Sequence, residues 1–502
     1  MRFMMKTLSL LTLMALASPA AAQSSLELFA PASHAAQPGI GLDASATRSH
    51  LVDVNLNLLR DGQVPQVQLN LFADLDLVAQ FDHMQPAYAN GVVWIGTLVG
   101  HPESHAMFSM IGDMMSAFIS FDDQAYSITS AGNGVYWIHE VDRSAGPECG
   151  NDASFEIHLP TEANSSSGSR ATITEIDVMV VYTTVAKNLM GGTTSTNSKI
   201  NLAMAKTNAS FADSGVDQEV RLVHTEEMVG YSEPSSFNQM LQDLQRNNDG
   251  KMDNVHALRT QYGADCVSLL CMNTQYCGLA YLMTNVSTSF RTWAFSVVNY
   301  SCMQNSQTLA HELGHNMGSS HDPQNASTGA YSYSFGFRTS NNAYRTIMAY
   351  SPGSEIDRWS GPNVSYNGYT MGTSSQDNVR SLNNTAATVA AWKPTVGGNG
   401  PSLLVPTLTA SQLATFTLVD CEPNGSGFIY YSTTGTGPYM TSYGLADLSP
   451  PLHLLPMVFQ DSNGTGTVTV RVPARGAGVT AWLQGLDLTS GLWTSNVQTT
   501  VL

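Results

Sequence analysis

The amino-acid sequence predicts a multidomain protein: a central α/β domain with a mostly parallel sheet follows a β-rich segment and precedes an all-β sandwich. Three observations predict this. At 502 residues the chain exceeds one ordinary domain. Strand-like and helix-like stretches alternate only in its middle part, the order that builds a parallel sheet. Two runs of linker composition, residues 161–170 (TEANSSSGSR) and 397–401 (GGNGP), separate that part from its flanks.

Residues 1–22 read as a signal peptide. Arg2 and Lys6 give a positive start, residues 8–17 form a short apolar run, and Ala20-Ala21-Ala22 supply small residues before a cut at Gln23. An uncleaved anchor is the alternative, but the run is short for a span, and no later apolar stretch reaches ~18 residues. The mature chain is therefore expected to be secreted, without a transmembrane segment. Residues 23–170 form the β-rich segment, with strands expected at 92–96, 117–121 and 126–128 between Gly and Asp breaks. Arg170 is the expected processing point. In 171–395, residues 176–182 read as a buried strand and 198–212 as a helix, with Ile200, Ala203, Met204 and Phe211 near one face. A second strand is expected at 219–222 and a longer helical stretch at 237–262. Residues 396–502 alternate β-rich runs (467–472, 479–484) with Gly, Asn and Pro turns, as in a sandwich.

Hydrophobic residues make up 43% of the chain, which supports packed cores. With 21 basic against 39 acidic residues the net charge is −18, which does not attract phosphate backbones, so nucleic acid is not an expected partner. Of the six cysteines, Cys266, Cys271, Cys277 and Cys302 cluster. An oxidising exterior favours two disulfides among them, with Cys277–Cys302 and Cys266–Cys271 the preferred pairing of three. A zinc site made of these thiols is the rival reading.

The chemistry lies in residues 305–322, NSQTLAHELGHNMGSSHD. Asn305 or Ser306 is placed to cap a helix, along which Leu309, Leu313 and Met317 recur at i, i+4 and i+8. His311 and His315 each lie two positions beyond a leucine, turned by about 200° from the apolar face. They stand one turn apart, as two zinc ligands must. Glu312 sits beside the first, within reach of a metal-bound water but outside the ligand row. Gly318 ends the helix in a left-handed conformation and lets His321 return as a third ligand. Three protein ligands leave one position open, the mark of a catalytic rather than a structural zinc site. Surface histidines on an ordinary helix are the bland alternative.

His311-Glu312-Leu313-Gly314-His315, Gly318 and His321 resemble the zinc signature of the metzincin metalloproteases, and Asp322 after the third histidine resembles the adamalysin (reprolysin) branch. The resemblance covers about residues 172–393. It implies a secreted zinc endopeptidase acting on proteins or peptides, with Glu312 as general base and a structural role for Asp322. Thr346-Ile347-Met348-Ala349-Tyr350 resembles the family's Met-turn, which places Met348 beneath the histidines. Tyr350 is similar instead to the tyrosine of astacins and serralysins, which coordinates zinc or stabilises the oxyanion; a tyrosine packed below the site is the other reading. Cys277-Gly278-Leu279-Ala280-Tyr281-Leu282 resembles the edge strand that aligns substrate.

An exported protease is expected to carry an inhibitory propeptide. Cys149, in Gly146-Pro147-Glu148-Cys149-Gly150, looks like a cysteine switch whose thiolate fills the open zinc position; a disulfide to Cys421 and an idle thiol remain open. His101 and His105 flank Glu103 but are rejected as a second metal site, since Pro102 disturbs a helix; a surface turn is expected there. His224 and His453 are lone. The C-terminal domain offers no chemistry; substrate binding, surface or matrix contact and assistance to export are all open to it by analogy of architecture alone. A non-catalytic adhesion protein retaining the fold is the alternative function, which loss of Glu312 or a ligand would have favoured.

Overall fold

Runs rich in Val, Phe and Tyr, broken by Gly and Asp, pair first into a ten-stranded sheet. In the computed structural model, residues 26–159 and 173–502 are described, apart from 42, 44, 61, 90, 144, 145, 151–154, 396–400, 442 and 495. The expected signal peptide, the 161–170 linker with Arg170 and most of the 397–401 break lie outside the described residues. The strands are β1 (Leu26–Glu27), β2 (Phe29–Pro31), β3 (Ala46–Val54), β4 (Gln66–Phe72), β5 (Leu75–Ala87), β6 (Gly91–Leu98), β7 (His101–Ile111), β8 (Met114–Phe121), β9 (Gln124–Ser130) and β10 (Tyr136–Val141). Their order is β1-β4-β5-β6-β7-β8-β9-β10-β3-β2, so most neighbours are consecutive hairpins. Gly112 and Asp122 turn two of these at positive φ, 58° and 53°. His101 and His105 lie on β7, not in a surface turn: both neighbours, β6 and β8, pair with that stretch, and the ladder overrides the local Pro102 signal.

The next elements are β11 (Glu156–Ile157), β12 (Thr174–Thr183), α1 (Thr184–Leu189), α2 (Thr193–Ser214), β13 (Gln218–Met228), α3 (Phe237–Gln245), α4 (Asn254–Gln261), β14 (Cys266–Cys271), β15 (Gly278–Ala280), β16 (Leu282–Met283), β17 (Phe295–Asn299), α5 (Tyr300–Asn305), α6 (Thr308–Asn316) and α7 (Asn378–Val389). Five strands form a sheet of order β13-β12-β14-β17-β15. The pairs β12–β13, β12–β14 and β14–β17 are parallel, and β15 closes the edge antiparallel to β17. Ile176, Val178, Val180 and the intervening Met179 and Val181 are all buried, as expected of a strand covered on both faces.

The single helical stretch expected at 237–262 is two helices. Asn248 and Gly250 take positive φ (68° and 78°), and the Asp253 carboxylate accepts the Asp249 and Gly250 N–H groups, so a turn interrupts the periodicity. Helix α2 is buried almost all round because β7 and β8 lie across it. There Ser198 Oγ donates to Ser109 O (2.9 Å), and Lys206 Nζ sits 4.0 Å from the Phe118 ring centroid. No helix among the described residues is long and apolar enough to cross a membrane.

Beyond residue 401 the chain forms a three-stranded sheet (Ser402–Leu404, Leu413–Val419, Gly466–Arg471) and a second sheet built on Ser426–Ser432 and Thr480–Asp487. Leu403, Phe416 and Leu418 from the first share one apolar cluster with Ile429 and Leu483 from the second.

Candidate active site

Helix α6 starts at Thr308 with Gln307 in the cap position, not at an Asn305 or Ser306 cap. Those two residues end α5 and its turn, and Ser306 Oγ donates to Cys302 O (2.9 Å). The apolar face behaves as its spacing requires: Leu309, Leu313 and Met317 are at most 2% exposed. Gly318 follows at φ 94°, where a Cβ would lie 2.4 Å from that of Ala330, so the reversal needs glycine for both conformation and space. The chain then brings His321 back to the helix.

The three imidazoles converge. His311 Nε2 and His315 Nε2 lie 3.2 and 3.0 Å from His321 Nε2. His311 Nδ1 bonds Ile347 O (2.7 Å) and His315 Nδ1 bonds Ser319 O (2.9 Å), which fixes Nδ1 as the protonated atom of these two rings and turns both Nε2 lone pairs toward His321 Nε2. Burial depresses all three pKa values, most in His315 and His321, where neighbouring histidines add to it, so the rings are neutral as ligands must be. A single N–H on His321 serves only one of these two acceptors, whereas a cation at the centre serves all three nitrogens. Tetrahedral zinc with bonds of about 2.0–2.1 Å sets its nitrogens roughly 3.3 Å apart, close to the spacing found. The residues fit a metal ion.

Glu312 is fully buried next to this cluster. Neither of its oxygens has a hydrogen-bond partner of normal geometry among the described residues; burial pushes the carboxyl up to about 8, against the Cys149 thiol, which favours its charge. It lies hard against β15, where a Cβ on Gly278 would come within 2.2 Å of Glu312 Oε1. Beneath the helix, a Cβ on Gly314 would meet Met348 Sδ at 3.0 Å, and one on Gly336 would strike the Met348 backbone at 2.7 Å. Sequence reasoning named Gly278 and Gly314 within motifs but gave them no role, and passed over Gly336. Asn316, also missed, donates to Tyr281 O (2.8 Å) and Phe295 O (3.2 Å), tying α6 to the sheet edge.

Residues 172–360 match the model of metallo-peptidase family M12. A peptidyl-Asp metalloendopeptidase of Xanthomonas campestris pv. campestris is 34% identical over 307 residues, covering 58% of this chain and 70% of that protein. Two proteins of the same name from Stenotrophomonas maltophilia are 34% identical over 313 residues (58% and 71% covered) and 31% identical over 413 residues (75% and 96% covered). The chain belongs to the metzincin-like zinc metalloproteases. It is a metalloendopeptidase, and its described fold is a metallopeptidase region within a β-rich chain.

The remaining residues singled out in the sequence lie around the protease's histidines. Asp322 points away from them: its carboxylate accepts Arg338 Nη2 (2.7 Å), Asn325 Nδ2 (2.8 Å) and the Tyr350 N–H (3.0 Å). Met348 is fully buried under α6. The Tyr350 ring lies 4.1 Å from that of His321, and its hydroxyl donates to Cys149 O (2.6 Å). Burial, then the charges of Cys149 and Glu312, raise the Tyr350 pKa far above its usual value.

Cys149 itself reaches the cluster from the N-terminal segment. Its Sγ is 3.7 Å from His315 Nε2, and the four candidate ligand atoms of Cys149, His311, His315 and His321 lie within 4.8 Å of one another. A tetrahedral zinc holding one thiolate at about 2.3 Å and one imidazole sets sulfur and nitrogen roughly 3.6 Å apart. The Gly150 N–H donates to Gly278 O (2.9 Å), and β11 pairs with β16, so this segment runs along the edge strand.

The cysteine pairing is half corrected. Cys277–Cys302 is a disulfide, but Cys266 and Cys271 are buried thiols at opposite ends of β14. Five residues of strand separate them by roughly 16 Å, far beyond disulfide reach. Among the described residues they join no metal-ligand group, and Cys421 is a thiol not bonded to Cys149. His101 faces Asp122 and His105 faces Asp213, while His224 and His453 stack on Tyr262 and Tyr431; none joins the ligand group.

Proposed function

We propose that the mature protein is a secreted zinc endopeptidase in which His311, His315 and His321 hold the ion and Glu312 is the general base. The observation that carries this reading is the convergence of three Nε2 atoms beside a buried carboxylate that no hydrogen bond commits elsewhere. Zinc, when bound, supplies a Lewis acid that lowers the pKa of water. Glu312, whose carboxyl burial pushes up to about 8, would ionise more readily beside a bound cation. Glu312 takes a proton from the attacking water and delivers it to the leaving amine nitrogen. The Tyr350 hydroxyl, once released from Cys149 O, donates to the substrate carbonyl oxygen as negative charge develops there. The backbone of β15 aligns the extended substrate, in the place where the Gly150 N–H bonds Gly278 O.

In the same reading residues 1–22 direct export, and residues 23–170 are a propeptide whose Cys149 thiolate closes the metal site until the linker is cut. Residues 171–395 are the catalytic domain, and residues 396–502 are a sandwich that contacts a surface or matrix. The relatives' name suggests cleavage beside aspartate as the first preference to examine in peptide libraries.

The test is casein hydrolysis by processed protein, with elemental analysis of the same sample. One zinc per chain is expected, with activity abolished by a chelator and restored by zinc. Activity indifferent to the chelator, or a folded processed protein that takes up no metal, would sink the reading.

A further inference from the structure

The N-terminal segment carries a second group into the cleft besides the Cys149 thiol. Arg143 Nη2 lies 2.6 Å from Glu355 Oε1 and 2.6 Å from Asp357 Oδ1, and all three side chains are at most 10% exposed. The small cavity that Arg143 and Glu355 border is also lined by Cys149, His311 and Glu312, so the pocket opens onto the metal-ligand cluster. Both carboxylates are positioned by the start of α6: Glu355 Oε1 accepts the Gln307 N–H (3.1 Å) and Asp357 Oδ1 accepts Gln307 Nε2 (2.9 Å).

The other cations nearby direct their hydrogen bonds elsewhere, and only Arg345 keeps a looser ion pair, with Glu355 alone. Arg345 donates to Ala349 O (2.7 Å) and Gly353 O (3.0 Å), and its approach to Glu355 is 3.6 Å. Lys206 donates to Ser306 O (2.8 Å), Gln304 O (3.0 Å) and Met303 O (3.4 Å). Arg358 Nη1 binds Asp213 Oδ2 (2.8 Å) and the carbonyl, not the carboxylate, of Asp357 (3.1 Å). Ser120 Oγ, which donates to Asp357 Oδ2 (3.0 Å), belongs to β8 and leaves with Arg143. Removal of the N-terminal segment thus uncovers two carboxylates, held in place beside the catalytic centre, that have lost the one cation contacting both. Such a pair is costly to keep desolvated without a partner.

We propose that Glu355 and Asp357, oriented by Gln307, form a subsite for a cationic side chain of the polypeptide substrate, and that Arg143 fills it in the uncleaved chain. The proposal rests on the reading that the N-terminal segment leaves the cleft on maturation. Arginine suits the site better than lysine, because one terminal nitrogen reaches both carboxylates while the rest of the planar fork stays available to further acceptors.

The test uses processed, zinc-loaded protein freed of its N-terminal segment, and labelled peptides copying residues 143–150 (RSAGPECG) with Arg, Lys or Gln at the first position. Fluorescence anisotropy should show the Arg peptide binding at least about tenfold tighter than the Gln peptide, the loss expected on removing a charge-assisted pair, with Lys between them. Glu355→Gln and Asp357→Asn should each shrink that ratio toward one, a readout independent of their overall affinity. Equal binding of the Arg and Gln peptides to the wild-type protein overturns the subsite, and needs no variant to fold. So does an unchanged ratio in both variants, or displacement of the Arg and Gln peptides alike by calcium, which would make the pair a metal site. Casein hydrolysis on the same preparation keeps the two readings apart. Cleavage with no Arg preference removes the subsite alone, whereas Arg preference without cleavage removes the endopeptidase reading and leaves the binding subsite standing.

Discussion

The ten-stranded sheet and the metal-bearing region bury polar groups of different kinds. In the sheet the buried polar side chains are mostly hydroxyls, such as Ser109, Ser116 and Ser127, and its charged pairs, such as Arg60–Asp113, sit at the rim. In the protease region His311, Glu312, His315, His321, Asp322, Glu355 and Asp357 are ionisable and all at most 10% exposed. Connectivity differs as well. The first sheet joins consecutive hairpins, while β13-β12-β14-β17-β15 needs long crossovers. A sheet of local contacts can form early, whereas a cluster of buried ionisable groups is stable only once distant segments enclose it. The first region is built for stability; the second spends stability on chemistry.

That contrast can be broken at either end. The largest effect is expected from Glu312→Gln, which keeps the side-chain volume but removes the proposed base: peptide hydrolysis should fall by roughly 10²–10⁴-fold at unchanged zinc content. A loss of zinc together with activity would instead make Glu312 part of the ligand framework. In the sheet, Trp94 is fully buried between Phe81 and Phe108. Trp94→Ala should cost about 3–5 kcal/mol in denaturant unfolding of the uncleaved chain, with zinc still bound by whatever protein is processed. An unchanged midpoint would show that the sheet contributes little to the uncleaved fold.

Cys149→Ser joins the two regions. It should raise the activity of the uncleaved chain by on the order of tenfold, the change that follows from losing about 1.4 kcal/mol of closure. Latency equal to wild type would assign closure to the rest of the segment. The smallest effect concerns Asp265, whose carboxyl burial pushes up to about 7 although it accepts the Asp177 and Lys393 N–H groups. In the unfolded chain it titrates near 3.9. Between those values the folded state holds a proton that the unfolded state has lost, so this group's contribution to stability is present at low pH and declines as pH rises from about 4 to 7. Asp265→Asn should flatten that part of the Tm–pH curve. A curve parallel to wild type would show that Asp265 ionises normally.

Much of the site was legible because one helix and the turn behind it carry it. Leu309, Leu313 and Met317 faced the core, and His311 and His315 the opposite side, as 3.6 residues per turn requires. The helical reading at 237–262 failed where Asn248 and Gly250 adopt left-handed backbone, a local choice that apolar periodicity does not register. The Cys266–Cys271 pairing failed because proximity in sequence was taken for proximity in space, and a strand holds its ends apart. Gly278, Gly314 and Gly336 were illegible for the opposite reason: each is small because something from a distant segment presses on it.

The linear chain alone determined the types and intervals of the candidate ligands, the carboxyl group beside them and the reversal at Gly318, since all of these lie within seventeen residues of Asn305 on one helix and the turn behind it. Only the tertiary structure decided what closes over them. It delivered Cys149 to His315 across 166 positions, set Tyr350 against His321, and placed Arg143 between Glu355 and Asp357. Those encounters depend on how two sheets dock, and contacts between segments so far apart leave no periodic trace in either one.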